Sequence, residues 1–266
     1  MKKGVQIFSL DGKTALITGA AGYLGSAMAR VLAEAGAHVL VNSRSKERGD
    51  ALVKSLSAAG HSAESAVFDV TDSGAVAHFF NSRHGHPLHV LINNAYAGGA
   101  GNIELSNAET YSSSYDITVP AAHNLLRLAL TGLRQAVLDD GDASVINLAS
   151  MYALVSPDQR IYDSAHAVNP PFYGAAKAAL LQWTRYAACE FGAEGIRVNA
   201  ISPGPFPSAS VQQSNSVFIE KLAAKVPMGR IGQSDEIKGA TLFLAAPASS
   251  FVNGANIVVD GGWTCW

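Results

Sequence analysis

Residues 14–25 read Thr14-Ala-Leu-Ile-Thr-Gly-Ala-Ala-Gly-Tyr-Leu-Gly25, and this stretch decides the fold class. Thr14–Thr18 is short, apolar and partly β-branched, the pattern of a buried strand. Gly19, Gly22 and Gly25 follow at once, and Leu24, Ala27, Met28, Val31, Leu32 and Ala35 then recur at helical spacing up to a stop at Gly36. A strand that runs through glycines into a helix start makes a phosphate cradle, because backbone N–H groups can approach an anion and the helix dipole favours its charge. The alternative is a glycine turn that only packs the helix on the sheet. A loop placed directly between a first strand and a first helix is where a dinucleotide fold carries its phosphate site.

Further apolar runs fit strands at His38–Val41, Ala63–Phe68, His89–Ile92, Ala143–Leu148, Ile196–Ala200 and Asn256–Val259. Helical periodicity fills Lys46–Ala59, Ala75–Arg83, Tyr115–Val137, Tyr173–Phe191 and Asp235–Ala245. Such alternation predicts an α/β fold: one Rossmann-type doubly wound parallel sheet of about seven strands with helices on both faces. No Pro/Ser/Gly-rich linker divides the 266 residues, so residues 1–266 are read as a single domain. With 48% hydrophobic and 15% charged residues the chain has apolar surface for a large core, and a net charge of −2 gives no basic patch for nucleic acid. No run is apolar for the ~18 residues that a membrane span needs. The basic lead-in arm Met1–Leu10 breaks at Asp11-Gly12 before any export signal forms, so the cytosol is expected. The two cysteines, Cys189 and Cys265, have no metal spacing, and Cys189 is expected in the core. His84, His86 and His89 run through a turn at Gly85 and Pro87 without a carboxylate or thiol; a solvent-facing turn is expected and no metal.

In a doubly wound sheet the ligands gather at the C-terminal strand ends. Those ends here are Asn42-Ser43-Arg44-Ser45, Asp69-Val70, Asn93-Asn94-Ala95-Tyr96, Ala149-Ser150 and Ser202-Pro203-Gly204-Pro205. All are polar or glycine-bearing, and together they form one candidate site. Tyr173 and Lys177 add acid–base chemistry, since positions four apart share a helix face. A cation held ~4 Å from a phenolate stabilises it by up to ~4 kcal/mol at an effective dielectric of ~20. That is worth up to about three pKa units before burial opposes it.

These motifs, in this order, resemble the short-chain dehydrogenases/reductases, and the likeness spans nearly the whole chain: Thr18–Gly25, Asp69-Val70, Asn93-Asn94-Ala95, Ser150, Tyr173/Lys177, Arg197-Val198-Asn199, Pro203-Gly204 and Val259-Asp260-Gly261-Gly262. The resemblance implies an NAD(P)-dependent oxidoreductase that moves a hydride between a nicotinamide and a carbonyl/alcohol carbon. By it, Tyr173 is the general acid/base, Ser150 binds the substrate oxygen, Lys177 lowers the Tyr173 pKa and holds the nicotinamide ribose, and Thr118 occupies the place of a bracing asparagine. It also implies that the cofactor lies on Gly19, Gly22, Tyr23, Leu24, Gly25, Ser43, Arg44, Asp69, Val70, Asn93, Ala95, Tyr173, Lys177, Pro203, Gly204 and Phe206. The segment after Pro203-Gly204 is a mobile lid in this family, although Phe206, Pro207 and Phe218 could equally be core. A homotetramer, or else a dimer, is implied through the helices Tyr115–Val137 and Tyr173–Phe191, with Trp263 and Trp266 expected out of water.

Four departures stand out. The glycine spacing, with Gly22 and Tyr23, is closer to the extended branch of the family; Tyr96 replaces its usual glycine; Thr118 replaces its asparagine; and Ser150 stands twenty-three positions before Tyr173, farther than is usual. The extra residues, Met151–Phe172, carry Asp158, Arg160, Tyr162, Asp163, His166 and Asn169. They are either a solvated loop or a polar wall for a hydroxyl-rich or anionic substrate such as a sugar derivative. Where an NAD enzyme places an acid to bind the ribose hydroxyl, this chain has Ser43 followed by Arg44. A guanidinium suits a phosphate, so NADP is expected over NAD, although no second basic residue lies near Ala20 or Ala21 in sequence. A dinucleotide-binding regulator without turnover is the alternative, argued from Thr118 and Tyr96 alone.

Overall fold

The computed structural model describes residues 4–266. Residues 1–3 of the lead-in arm lie outside the described residues, and Gly4–Phe8 form a 3₁₀ turn. The elements then run β1 (Thr14–Ile17), α1 (Tyr23–Glu34), β2 (His38–Ser43), α2 (Lys46–Ala58), β3 (Ala63–Val67), α3 (Ser73–Ser82) and β4 (Val90–Asn93). After them come α4 (Ala108–Asp140), β5 (Ala143–Leu148), α5 (Pro171–Phe191), β6 (Ile196–Pro203), α6 (Ala209–Ser214), α7 (Ser216–Lys225), α8 (Lys238–Ala245) and β7 (Asn256–Val259). The seven strands form one parallel sheet in the order β3-β2-β1-β4-β5-β6-β7, as the alternating pattern predicted.

Side-chain alternation divides the core into two layers. Ala15, Ile17, Val39, Val41, Val90 and Ile92 meet α1, α2 and α8 on one face. Leu16, Leu40, Leu91 and Val145 meet α3, α4 and α5 on the other. Because strand order reverses between β1 and β4, their C-terminal ends open a crevice between the loops that leave them. At the opposite edge Arg197 is a buried strut, paired in two-pronged fashion with Asp142 and donating to Leu244 O and Ser249 Oγ. Asn199 likewise ties β6 to the chain before β7 through Val252 O and Ala255 N–H.

Several parts differ from the sequence reading. Helix α4 begins at Ala108 instead of Tyr115, because Asn107 and Thr110 cap its start reciprocally while its first two turns carry too few apolar residues to show periodicity. Helices α6 and α7 were not foreseen, and each is capped at its start by a side chain, Ser208 and Asn215 respectively. Cys189 is exposed and does not pack in the core; Cys265 is exposed too. Within the single chain Trp263 is buried and Trp266 is exposed.

His89 is also a correction, since it is buried and not solvent-facing. Its Nδ1 accepts from Thr14 N–H at 3.0 Å, so the proton sits on Nε2, which donates to Asp140 at 2.8 Å. Asp140 also pairs with Lys13. Burial holds the imidazole below its ordinary value; the Asp140 hydrogen bond opposes this and the Lys13 charge assists it. A histidine with a depressed folded pKa stabilises the fold fully above its unfolded pKa, and the contribution is lost as pH falls below it. We therefore expect the denaturation midpoint of the wild type to fall more steeply than that of His89→Gln between about pH 7 and about pH 5. Parallel pH dependences in the two proteins would contradict the assignment.

Candidate active site

The crevice is a cleft of about 590 Å³, and it gathers nearly all the residues that the sequence singled out. Gly19, Gly22, Tyr23, Leu24, Gly25, Ser43, Arg44, Asp69, Val70, Ala95, Ser150, Tyr173, Lys177, Pro203, Gly204 and Phe206 all line it. Two do not. Asn93 is buried behind the wall, donating to Asn147 Oδ1 at 2.8 Å, and its neighbour Asn94 takes the place at the cleft. Thr118 is also buried, and its hydroxyl donates to the Ser114 carbonyl one turn earlier at 2.7 Å, since a hydroxyl this short finds its own helix first.

The glycine loop is shaped by close approach. Gly19 adopts φ +62°, and a Cβ on Gly25 would stand 2.3 Å from Gly19 O, so no side chain fits there. Asn94 locks the loop by donating its amide to Thr18 O at 2.8 Å and Gly19 O at 3.1 Å. Helix α1 starts at Gly22 with no side-chain cap. Its first-turn N–H groups, which lack intrahelical acceptors, therefore remain for an anion. The Tyr23 hydroxyl accepts from Gln212 Nε2 on α6 at 3.1 Å and from Ser234 N–H at 3.3 Å. This links the loop to the segment after Pro203-Gly204.

Two guanidiniums line one end of the cleft. Arg44 is two-thirds exposed and lies 3.6 Å from Asp69. The Asp69 carboxyl sits below its ordinary value although burial opposes this, because Thr71 donates to it twice and Arg44 is near. Arg48 comes from the first turn of α2 and donates to Ala21 O at 2.9 Å. Sequence distance hid it: the second basic group near Ala21 arrives from twenty-seven positions downstream.

The other end holds the ionisable pair. Lys177 is buried and donates to Leu148 O at 2.6 Å; burial lowers its ammonium to about 8. Its Nζ stands 5.8 Å from the centre of the Tyr173 ring, with no carboxylate paired to it among the described residues. Burial raises the Tyr173 phenol, and a hydrogen bond with Ser150 only partly offsets this. The lowering expected from Lys177 is thus not realised in this geometry, where burial dominates the phenol. The Ser150 hydroxyl also accepts from Tyr152 N–H at 3.1 Å. Tyr96 lies edge-on to Tyr173, with ring centres 4.8 Å apart.

None of residues 151–172 lines this cleft. Asp158 instead binds the Arg160 guanidinium and Lys225 on α7, which hold its carboxyl far below the ordinary range. Asp163 pairs with Lys221, also on α7, at 2.6 Å. Tyr152 and Tyr162 join hydroxyls at 3.0 Å, and the Tyr162 ring packs on Phe218. Two of its carboxylates clamp α7 away from this cleft, and Phe218, half-buried, packs against a small cluster that includes Tyr152 and Trp263. Phe206, in contrast, faces the cleft.

A family model described as Enoyl-(Acyl carrier protein) reductase matches residues 19–264. The chain is a short-chain dehydrogenase/reductase. It is an oxidoreductase of that family, and curated relatives match it end to end. Gluconate 5-dehydrogenase of Gluconobacter oxydans is 32% identical over 97% of each chain, and galactitol 2-dehydrogenase (L-tagatose-forming) of Cereibacter sphaeroides is 32% identical over 98% of each. Among solved structures, gluconate 5-dehydrogenase from Burkholderia cenocepacia in complex with NADP and tartrate superposes with a TM-score of 0.86 at 28% identity, covering 98% of this chain and 99% of that one.

Proposed function

We propose that this short-chain dehydrogenase/reductase uses NADP(H) to interconvert a hydroxyl and a carbonyl on a polyhydroxylated small molecule, a sugar acid or polyol. The observation that carries the reading is one continuous cleft with two guanidiniums at one end and Ser150, Tyr173 and Lys177 at the other. Relatives that act on gluconate and galactitol, and a neighbour holding NADP and tartrate, support the substrate class and the cofactor.

The cleft suits a dinucleotide phosphate: a cradle that no Cβ could enter, an uncapped helix start, and cations where an extra phosphate would lie. The nicotinamide, when bound, supplies the hydride chemistry. The protein positions the reactants and moves the proton. Ser150 hydrogen-bonds the substrate oxygen, and the Tyr173 hydroxyl exchanges a proton with that same oxygen. The Lys177 ammonium stabilises the phenolate that this leaves and donates to the ribose hydroxyls. With the cleft filled and water excluded, the pull of Lys177 on the phenolate would be stronger. We assign Asn93 and Thr118 to bracing the wall behind Lys177. Asn94 takes the contact first given to Asn93.

The chain is read as one domain acting in the cytosol; among the described residues no helix is long and apolar enough to cross a membrane. A homotetramer is proposed, supported by the exposed aromatics Tyr111 and Tyr115 on α4 and Tyr186 on α5.

Tyr173→Phe is expected to retain NADPH binding and to lose turnover by ~10²–10⁴-fold, the effect of removing a general acid/base. Turnover equal to the wild type would refute its role. For the cofactor, Arg44→Ala and Arg48→Ala should each weaken NADPH by about tenfold or more, the value of a charge-assisted hydrogen bond, and leave NADH nearly unchanged. Fluorescence titration decides this. An NADPH preference that survives both substitutions would show that neither guanidinium binds the phosphate.

A further inference from the structure

Around the start of α1 the cleft has two walls. Gly22, Tyr23 and Leu24 belong to one, and Pro203, Gly204 and Phe206, on the chain that leaves β6, belong to the other. The Tyr23 side chain joins them. Its hydroxyl accepts from Gln212 Nε2 on α6 at 3.1 Å and from Ser234 N–H at 3.3 Å.

The two partners are held with unequal firmness. Ser234 opens a 3₁₀ turn, Ser234–Ile237, whose start is capped reciprocally by Gln233 and Glu236 while Arg230 grips Glu236 through both terminal nitrogens at 2.7 and 2.6 Å. Ile237 anchors that turn in the core. Gln212, in contrast, sits on α6, a six-residue helix with no buried residue. Little apolar packing keeps such a helix in place, so its polar ties decide where it lies. Gln212 supplies two of them, because its amide nitrogen also donates to Pro207 O at 2.8 Å. One amide thus fastens both α6 and the stretch next to Phe206 to the tyrosine that begins α1.

We propose that Tyr23 is a positioning residue for the cofactor: through Gln212 it holds the wall after β6 against the start of α1, and this contact parts before a bound dinucleotide leaves. This rests on the NADP(H) reading of the cleft. A pyrophosphate at the uncapped start of α1 lies beside the Tyr23 backbone, with the Pro203–Phe206 stretch as the facing wall. Breaking the link on the way out adds the worth of a hydrogen bond to the release barrier, so removing it speeds release about fivefold. Tyr23→Phe keeps the ring and removes only the hydroxyl, which separates the link from packing.

The test measures NADPH release by stopped-flow fluorescence, mixing the preformed complex with excess NADP⁺. Wild type, Tyr23→Phe, Gln212→Ala and the double variant are compared. Each single variant is expected to release NADPH about fivefold faster than wild type, and the double variant to fall well short of the product of the two single effects, since both remove the same contact. An unchanged release rate in Tyr23→Phe or in Gln212→Ala overturns the proposal. A double variant at the full product overturns it too, because a glycine loop loosened only through the lost Ser234 bond would act independently of Gln212. Equilibrium NADPH fluorescence on wild type separates the two levels: absence of binding overturns the cofactor reading and this proposal together, whereas binding with unaltered release in the variants overturns this proposal alone.

Discussion

The contact between the first turn of α1 and the end of β1 governs the whole site. A Cβ on Gly25 would come within 2.3 Å of Gly19 O and 2.9 Å of Ala20 Cα, so α1 can seat on the loop only because this position has no side chain. That seating aims the uncapped helix start into the crevice between β1 and β4. Thr18 and Asn94 then bind the two strand ends together, which brings the segment carrying Tyr96 beside Tyr173. Displacing the loop would separate the anion end of the cleft from its proton-transfer end.

At that second end, the sign of the electrostatics depends on desolvation. A unit charge ~6 Å away is worth ~3 kcal/mol at an effective dielectric of ~20, about two pKa units. Burial of a phenol opposes this, and here Tyr173 is raised while burial takes the ammonium of Lys177 down to about 8. Both groups resist charge in the protein alone. Turning the pair into an acid–base device therefore calls for the dipoles that substrate and cofactor bring, which confines the chemistry to the filled cleft.

Much of this was legible in the sequence because the five inner strands are almost fully buried and the helices amphipathic, so period and punctuation agree. The run from Thr14 to Gly36 shows both, and its strand, loop and helix lie where the pattern placed them. Contacts made across long sequence separations were not legible. Arg48 reaches Ala21 from α2, and Tyr23 meets Gln212 on a short polar helix with no apolar period. The partners of Asp158 and Asp163 in the segment 151–172 were hidden for a related reason: Lys225 and Lys221 lie on α7, more than fifty positions later. Thr118 was placed by family position, and its hydroxyl turned instead to its own helix.

The central claim is oxidoreduction of a polyhydroxylated substrate with NADP(H), and the most direct measurement is initial-rate oxidation across sugar acids and polyols. Each compound is tested with NADP⁺ and with NAD⁺, following the absorbance of reduced nicotinamide. The account predicts turnover with members of this panel, faster with NADP⁺ at equal concentration. Turnover only with NAD⁺, or none across the panel by a protein that binds NADPH, would contradict it.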